Sequence, residues 1–106
     1  MAPIAIFTRL TARPGRRAEL IAAFTPLLEA VAREPGTEVF VMHTARDETD
    51  VVLFYEAYRD EAALATHRES EAVRSIVPLL GALLVAPPEI IYAHPAAVPD
   101  EDGTAP

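Results

Sequence analysis

His67 is the side chain in this sequence that is best placed to act as a base. It follows Ala63 by four residues and Leu64 by three, so on a helix it lies on the same face as those apolar residues. A neutral imidazole that faces an apolar cavity can take a proton from a bound substrate. The alternative is a structural role, in which the ring is buried and bonds to a backbone carbonyl.

Glu56 and Tyr58 form a second group that can do chemistry. They are two residues apart in a β-rich segment, so they share one face of a strand. If that face meets the helices, a carboxyl and a phenol line a cavity together with His67. A buried glutamate needs a partner, and Arg59 and Arg68 are the nearest cations in the sequence. The alternative is a cross-strand ion pair at the edge of the sheet.

The chain offers few of the residues that hold cofactors. His43 and His94 have no metal-ligand spacing with His67, and we expect both at the surface or at a subunit edge. Cysteine, lysine and tryptophan are absent, which excludes thiolate sites and Schiff-base catalysis. There is no glycine-rich phosphate loop among only 4 glycines. We therefore expect neither a cofactor nor a metal.

Composition limits the partners. The 106 residues carry a net charge of −7 without a basic cluster, which disfavours nucleic acids and anionic membrane surfaces. No apolar run reaches the length of about 18 residues that a membrane span requires. Since the first residues lack a basic stretch before an apolar one, we expect a cytoplasmic protein.

The elements that must position these side chains follow from periodicity. Alternating or β-rich runs predict strands, and stripes at helical spacing predict helices. Pro26 should kink the first helix, while Asp60 and Ser70 should cap the two later helical segments. The predicted strands are 4–10, 37–45, 51–58 and 89–93, and the predicted helices are 17–33, one starting after Asp60, and 71–83.

This β-α-β-β-α-β order predicts an α+β, ferredoxin-like fold, with a four-stranded antiparallel sheet and helices on one face. We expect one domain over residues 1–94 and a disordered acidic tail over residues 95–106.

The third strand is apolar on both faces, which bears on assembly. Val52 and Phe54 lie on one side, and Val51, Leu53 and Tyr55 on the other. Two helices cover only one face of a sheet, and an antiparallel sheet with one face in water should alternate cleanly. We therefore predict a homodimer formed through the other face. High β-propensity on an exposed face is the alternative explanation.

Two segments carry a family resemblance. Glu34-Pro35-Gly36 precedes a strand, and the run from Phe54 to His67 reads Phe-Tyr-Glu-Ala-Tyr-Arg-Asp-Glu-Ala-Ala-Leu-Ala-Thr-His. Over about residues 3–94 the chain resembles the antibiotic biosynthesis monooxygenase domain family. The resemblance implies a ferredoxin-like dimer. It implies one of several activities, which include cofactor-free oxidation of anthrones or quinols and degradation of haem.

At some positions the chain departs from the family pattern, and these departures exclude some of the family's activities from the expectation. The haem-degrading type has an asparagine, a tryptophan and a haem-binding histidine where this chain has Thr8, Tyr58 and Val77. Haem degradation is therefore disfavoured. Many members carry a tyrosine after the E-P-G turn, where this chain has Phe40, so a phenol at that position has no role here.

The sequence thus favours a cofactor-independent monooxygenase that oxidises a small aromatic quinol or anthrone with O2. His67 is the predicted base and Tyr58 the hydrogen-bond donor, with Glu56 as the third catalytic candidate. The predicted substrate-binding residues are Thr8, Phe24, Phe40, Phe54, Leu64 and Leu80. A non-catalytic dimer that binds a small ligand, and an isomerase that uses the same base without oxygen, are the alternatives.

Overall fold

A computed structural model describes residues 3–99 and shows a four-stranded sheet with helices on one face. All strand pairs are antiparallel, in the order β2-β3-β1-β4. The ferredoxin-like α+β fold expected from the element order is confirmed. The elements are β1 (Ile4–Thr11), α1 (Arg17–Ala23), α2 (Thr25–Val31), β2 (Thr37–Thr44), β3 (Val51–Tyr58), α3 (Glu61–Arg68), α4 (Glu71–Leu83) and β4 (Glu89–Ala93).

The strand register decides which side chains meet the helices. Thr8 of β1 pairs with Phe54 of β3 and with Ile90 of β4, while Met42 of β2 also pairs with Phe54. Because neighbours across a sheet point the same way, these side chains share one face, which we call the inner face. Glu56 lies two residues further along β3 and belongs to it as well.

The first helical segment differs from the prediction of one kinked helix over 17–33. α1 ends at Ala23 and α2 begins at Thr25, so Phe24 ends one helix and begins the next. Pro26 occupies the first turn of α2, where its missing N–H is not needed. The proline therefore starts a new helix, and the buried Phe24 at the break packs into the core.

Two side-chain caps fix α3 and α4, as predicted. The Asp60 carboxylate accepts a hydrogen bond from the Ala63 N–H at 2.9 Å, and the Ser70 hydroxyl accepts one from the Val73 N–H at 3.3 Å. Each cap satisfies a backbone donor that has no partner within the helix. Together they set where α3, which carries His67, starts and ends.

The core lies between the inner face and the helices, and the opposite outer face is bare. Phe7 on the outer face is 47% exposed, and its ring stacks on Tyr55 with centroids 5.2 Å apart. Val41 and Ile91 extend this exposed apolar surface across β2 and β4.

Residues 94–99 follow β4 without helix or strand, and the rest of the predicted tail lies outside the described residues. Within residues 3–99, no helix is both long and apolar enough to cross a membrane.

Candidate functional site

A cavity between the inner face and helices α2, α3 and α4 contains the titratable side chains singled out above. It has an inner lobe of about 180 Å³ and an outer lobe of about 130 Å³. The inner lobe is lined by Thr8, Leu10, Phe24, Leu27, Phe40, Phe54, Glu56, His67, Val73, Leu80, Pro88 and Ile90. The outer lobe is lined by Ile6, Thr8, Glu56, Leu64, His67, Arg68, Val73, Ile90 and Tyr92.

His67 stands where the two lobes meet and is only 7% exposed. Its Nδ1 lies 3.0 Å from Oε1 of Glu34, a residue 33 positions earlier in the chain. The same Glu34 oxygen accepts a hydrogen bond of 2.7 Å from the Thr37 hydroxyl. The Glu34 carboxylate therefore favours the tautomer that carries its proton on Nδ1 and fixes the direction of the ring.

The E-P-G turn brings Glu34 to His67 because Gly36 lets α3 come close. A Cβ placed on Gly36 would overlap the Cβ of Ala63 on α3. The Gly36 carbonyl also accepts a hydrogen bond of 2.9 Å from the Arg59 N–H, just before α3. A glycine at this point is thus required by packing, and it sets the distance between the turn and the helix.

The second nitrogen of His67 faces the cavity. Nε2 makes no hydrogen bond within residues 3–99, and no side-chain polar atom of those residues is both buried and unpartnered. The rings of Tyr58 and Phe40 lie 5.2 and 5.5 Å from the imidazole and restrict its rotation. A neutral imidazole held in this way presents a lone pair to a ligand in the cavity.

Glu56 and Tyr58 are bonded to each other. The Tyr58 hydroxyl donates to Oε1 of Glu56 at 2.5 Å. Burial raises the pKa of the Glu56 carboxyl, although the Tyr58 hydrogen bond and the charges of His67 and Arg68 act in the opposite direction. Burial and the neighbouring Glu56 carboxylate raise the pKa of the Tyr58 hydroxyl, which therefore stays protonated.

The structure brings all six residues predicted to bind substrate to the cavity wall: Thr8, Phe24, Phe40, Phe54 and Leu80 in the inner lobe, Leu64 in the outer lobe, and Thr8 in both.

Tyr58 is placed differently from the other predicted catalytic residues. It is fully buried, lines neither lobe and has committed its proton to Glu56.

Of the two arginines expected as partners of Glu56, Arg68 acts on its carboxyl and Arg59 does not. Tyr58 supplies the hydrogen bond to Glu56, whereas Nε of Arg59 lies 3.6 Å from Oδ2 of Asp60. Arg68 acts on Glu56 only through its charge. A tyrosine two residues away on the same strand face reaches the carboxyl directly, and the nearest arginines in the sequence do not.

Glu34 was not identified as a site residue from the sequence, although its E-P-G motif was noted. Its chemistry depends on a contact with α3 that no local pattern encodes. Arg68 was considered only as a partner of Glu56, and Tyr92 of β4 was not considered at all. Both line the outer lobe.

A larger concave region of about 700 Å³ lies on the outer face, away from His67 and Glu56. Phe7, Leu53, Tyr55 and Ile91 line it, together with Arg9 and His43 at its rim. It lacks a buried titratable side chain, and its apolar lining is that of an uncovered sheet face. We therefore place the chemistry on the inner face, although the outer region is larger.

Comparison with known proteins places this architecture in a family. A family model described as antibiotic biosynthesis monooxygenase matches residues 3–79. The chain belongs to this family, as its E-P-G turn and the run from Phe54 to His67 indicated.

A curated relative, the uncharacterized protein sll1783 of Synechocystis, is 28% identical over 88 residues. The match covers 83% of this chain and 60% of that protein, so the chain spans less than two thirds of this relative.

Solved structures share the whole fold. Rv0793 from Mycobacterium tuberculosis is 26% identical with a TM-score of 0.83, covering 89% of this chain and 95% of its own. PA3566 from Pseudomonas aeruginosa is 25% identical with a TM-score of 0.83, covering 92% and 97%. A Caulobacter crescentus protein described as a candidate antibiotic biosynthesis monooxygenase is 25% identical with a TM-score of 0.84, covering 90% and 91%.

Proposed function

We propose that this protein is a cofactor-independent monooxygenase, which uses O2 to oxidise a small flat aromatic of the anthrone or quinol type. The observation that carries the proposal is the pairing of His67 Nδ1 with Glu34, while Nε2 is left free of hydrogen bonds within residues 3–99, beside a mainly apolar cavity that also contains Glu56. The family and the candidate monooxygenase among the solved structures support the same general role.

In the proposed reaction, Nε2 of His67 removes a proton from the bound substrate and leaves a delocalised anion. The anion gives up an electron pair to O2, so that a ring carbon forms a bond to oxygen, and the resulting peroxide anion takes back the proton from His67 to become a hydroperoxide. Loss of water from the hydroperoxide leaves a carbonyl at that carbon. One oxygen atom enters the product, the other leaves as water, and the substrate supplies all four electrons.

The remaining side chains support this proton transfer. The Glu34 carboxylate stabilises the imidazolium that forms on His67, and the aromatic wall excludes the water that would protonate the anion. Glu56 faces the same space, with Tyr58 behind it as a positioning residue. A direct hydrogen bond from Tyr58 to substrate stays a prediction, because it requires the Tyr58–Glu56 bond to open.

The test is oxygen consumption with anthrone and 1,4-naphthalenediol under ¹⁸O2. We expect one O2 consumed per product, one labelled atom in the product, and no return of oxygen when catalase is added. His67→Ala should lower the rate by about 10²- to 10⁴-fold, as removal of a positioned base does. His43→Ala, which removes an exposed histidine on the outer face, should leave the rate unchanged.

Each of the other outcomes has a meaning. Proton exchange or isomerisation that proceeds without O2 would replace the proposal by an isomerase. Ligand binding without any turnover would replace it by a binding protein. A stoichiometric flavin, haem or metal in the active purified protein would overturn the cofactor-free mechanism.

We also propose that the outer face is covered by a second copy of this chain. The stacked Phe7 and Tyr55 rings, with Ile91 beside them at 65% exposed, form an apolar surface that the helices of the same chain do not reach. Contiguous apolar patches of this kind mark interaction sites in soluble proteins. A homodimer formed sheet against sheet leaves the inner-face cavity of each subunit separate.

A further inference from the structure

Among the described residues 3–99, Arg68 is the only arginine that lines the cavity. It follows His67 on α3, and its guanidinium carbon lies 5.0 Å from the centre of the Tyr92 ring. The side chain is exposed, and it forms neither a salt bridge nor a side-chain hydrogen bond with any residue in 3–99. Its donors are therefore available to a ligand in the outer lobe.

Tyr92 holds this cation at the outer lobe. A guanidinium over an aromatic face is attracted by the ring and loses mobility without losing its N–H donors. The planar fork of those donors matches a carboxylate, with which it forms two parallel hydrogen bonds. Val73, in the first turn of α4, also lines the outer lobe, but its N–H already donates to the Ser70 hydroxyl. The Arg68 fork is therefore the group that we match to a planar carboxylate.

The two lobes differ in the part of a ligand that each one suits. The inner lobe is lined mainly by aromatic and aliphatic side chains, including Phe24 and Phe54, whose centroids are 4.8 Å apart. The outer lobe adds Arg68 and Tyr92, and His67 belongs to both. A ligand that spans the lobes therefore presents rings to the inner one, its reacting hydroxyl to His67, and its far end to the arginine.

We propose that the substrate is an aromatic hydroxy acid whose carboxylate is bound by Arg68. The net charge of −7 disfavours the approach of anions, so binding of such a ligand requires a specific cation like Arg68 in the cavity wall. Glu56 lines both lobes and repels a carboxylate when ionised, so Arg68 is the side chain that offsets this repulsion in the outer lobe. This inference rests on the proposed function for the reaction, but the binding it describes is measured without turnover.

The test compares two ligands that differ by one carboxylate, 1-hydroxy-2-naphthoate and 1-naphthol, by calorimetry under nitrogen with the full chain. We expect the wild type to bind the naphthoate about tenfold more tightly, the gain typical of a hydrogen-bonded charge pair. Arg68→Gln should abolish this preference without weakening 1-naphthol. Arg68→Lys should retain part of it, because lysine keeps the charge and loses the fork.

Arg74→Gln is the matched control, since it removes the same charge from an exposed position on α4 that lines neither lobe. Equal affinity of the wild type for the two ligands, a preference that survives Arg68→Gln, or no binding of either ligand would each overturn the inference. A preference that depends on Arg68 in a protein that consumes no oxygen would sustain it and overturn the proposed oxygenase reaction instead.

Discussion

A carboxylate on one nitrogen and a cavity on the other distinguish His67 from His43 and His94. The latter two are exposed, and each places its Nδ1 near a backbone carbonyl. The Glu34–His67 pair is partly buried, so the interaction acts at a lower effective dielectric than on the surface. At the scale of single residues, the account depends on this pair.

Glu34→Gln tests the pairing, because it keeps the size of the side chain and removes its charge. Since Glu34 does not line the cavity, kcat should fall on the order of 10- to 100-fold while KM changes little. In the double variant with His67→Ala, the second change should add no further loss. Steady-state kinetics measures these losses, with Glu29→Gln, an exposed change on α2, as the control. If the losses from Glu34→Gln and His67→Ala multiply in the double variant, the two residues do not act as a pair.

Glu56 predicts a pH dependence of stability. Its pKa is raised in the folded state by burial, so the folded protein holds this proton more tightly than the unfolded chain. The stability contribution of Glu56 is therefore fully present below its unfolded pKa and is lost as the pH rises through its folded pKa. Relative to Glu56→Gln, the wild type should become less stable over that window.

Urea unfolding of both proteins between about pH 4 and 8 measures this difference. Glu29→Gln again serves as the control, and its curve should run parallel to that of the wild type. If the free energy of unfolding of Glu56→Gln also changes with pH in parallel with that of the wild type, burial does not govern the ionisation of Glu56.

At the scale of elements, the site is made where the E-P-G turn meets α3. Gly36 sits against Ala63 without room for a Cβ, and the Asp60 cap fixes the start of the helix just before that contact. His67 is one turn further along, opposite Glu34. The turn and the cap therefore act together to set a distance that the chemistry needs.

Gly36→Ala should destabilise the fold by about 1–3 kcal/mol, the usual cost of overpacking, and should reduce activity by pushing α3 away from Glu34. Ala63→Gly alone should cost about 1 kcal/mol through helix propensity. Combined, the two changes should cost less than their sum, because the second removes the atom that the first one meets. Additive losses in urea unfolding would contradict this packing.

Asp60→Ala should lower the free energy of unfolding by about 1 kcal/mol, the typical value of an N-cap. Asp60→Asn should be nearly neutral, since asparagine caps as well as aspartate. Equal destabilisation by both substitutions would assign the effect to the Arg59–Asp60 ion pair rather than to the cap.

Local periodicity was enough to predict most of these elements, and the contacts between them were not predictable in the same way. The strand over 51–58 and the helix over 71–83 each follow from a repeating pattern and a clear boundary. Pro26 was expected to kink a helix, yet a break that lets Phe24 pack in the core is more favourable. The Glu34–His67 contact joins residues 33 apart through the Gly36–Ala63 packing, and no pattern within either segment encodes it.

At the scale of the molecule, the two faces of the sheet carry different features. The inner face encloses the cavity, and the outer face carries the apolar surface around Phe7 and Tyr55. Under the two proposals above, assembly takes place on one side of the sheet and chemistry on the other. If the proposed dimer is disrupted, the stability of the protein should fall while the inner-face cavity stays unchanged.

Phe7→Asp should convert a dimer into a monomer in sedimentation experiments, because it places a charge in the centre of an apolar interface. Val77→Asp is the matched control, since Val77 is equally apolar and exposed but lies on α4. A wild-type protein that sediments as a monomer at micromolar concentration would contradict the assembly.

The role of His67 as the base is tested most directly by measuring proton removal from a substrate in the absence of O2. Anthrone is mixed with the protein under nitrogen in a stopped-flow instrument, and the absorbance of its enolate is followed. If His67 is the base, the wild type forms the bound anion rapidly, and formation is slowed by about 10²- to 10⁴-fold in His67→Ala. Anion formation at the wild-type rate in His67→Ala would contradict the assignment of His67 as the base.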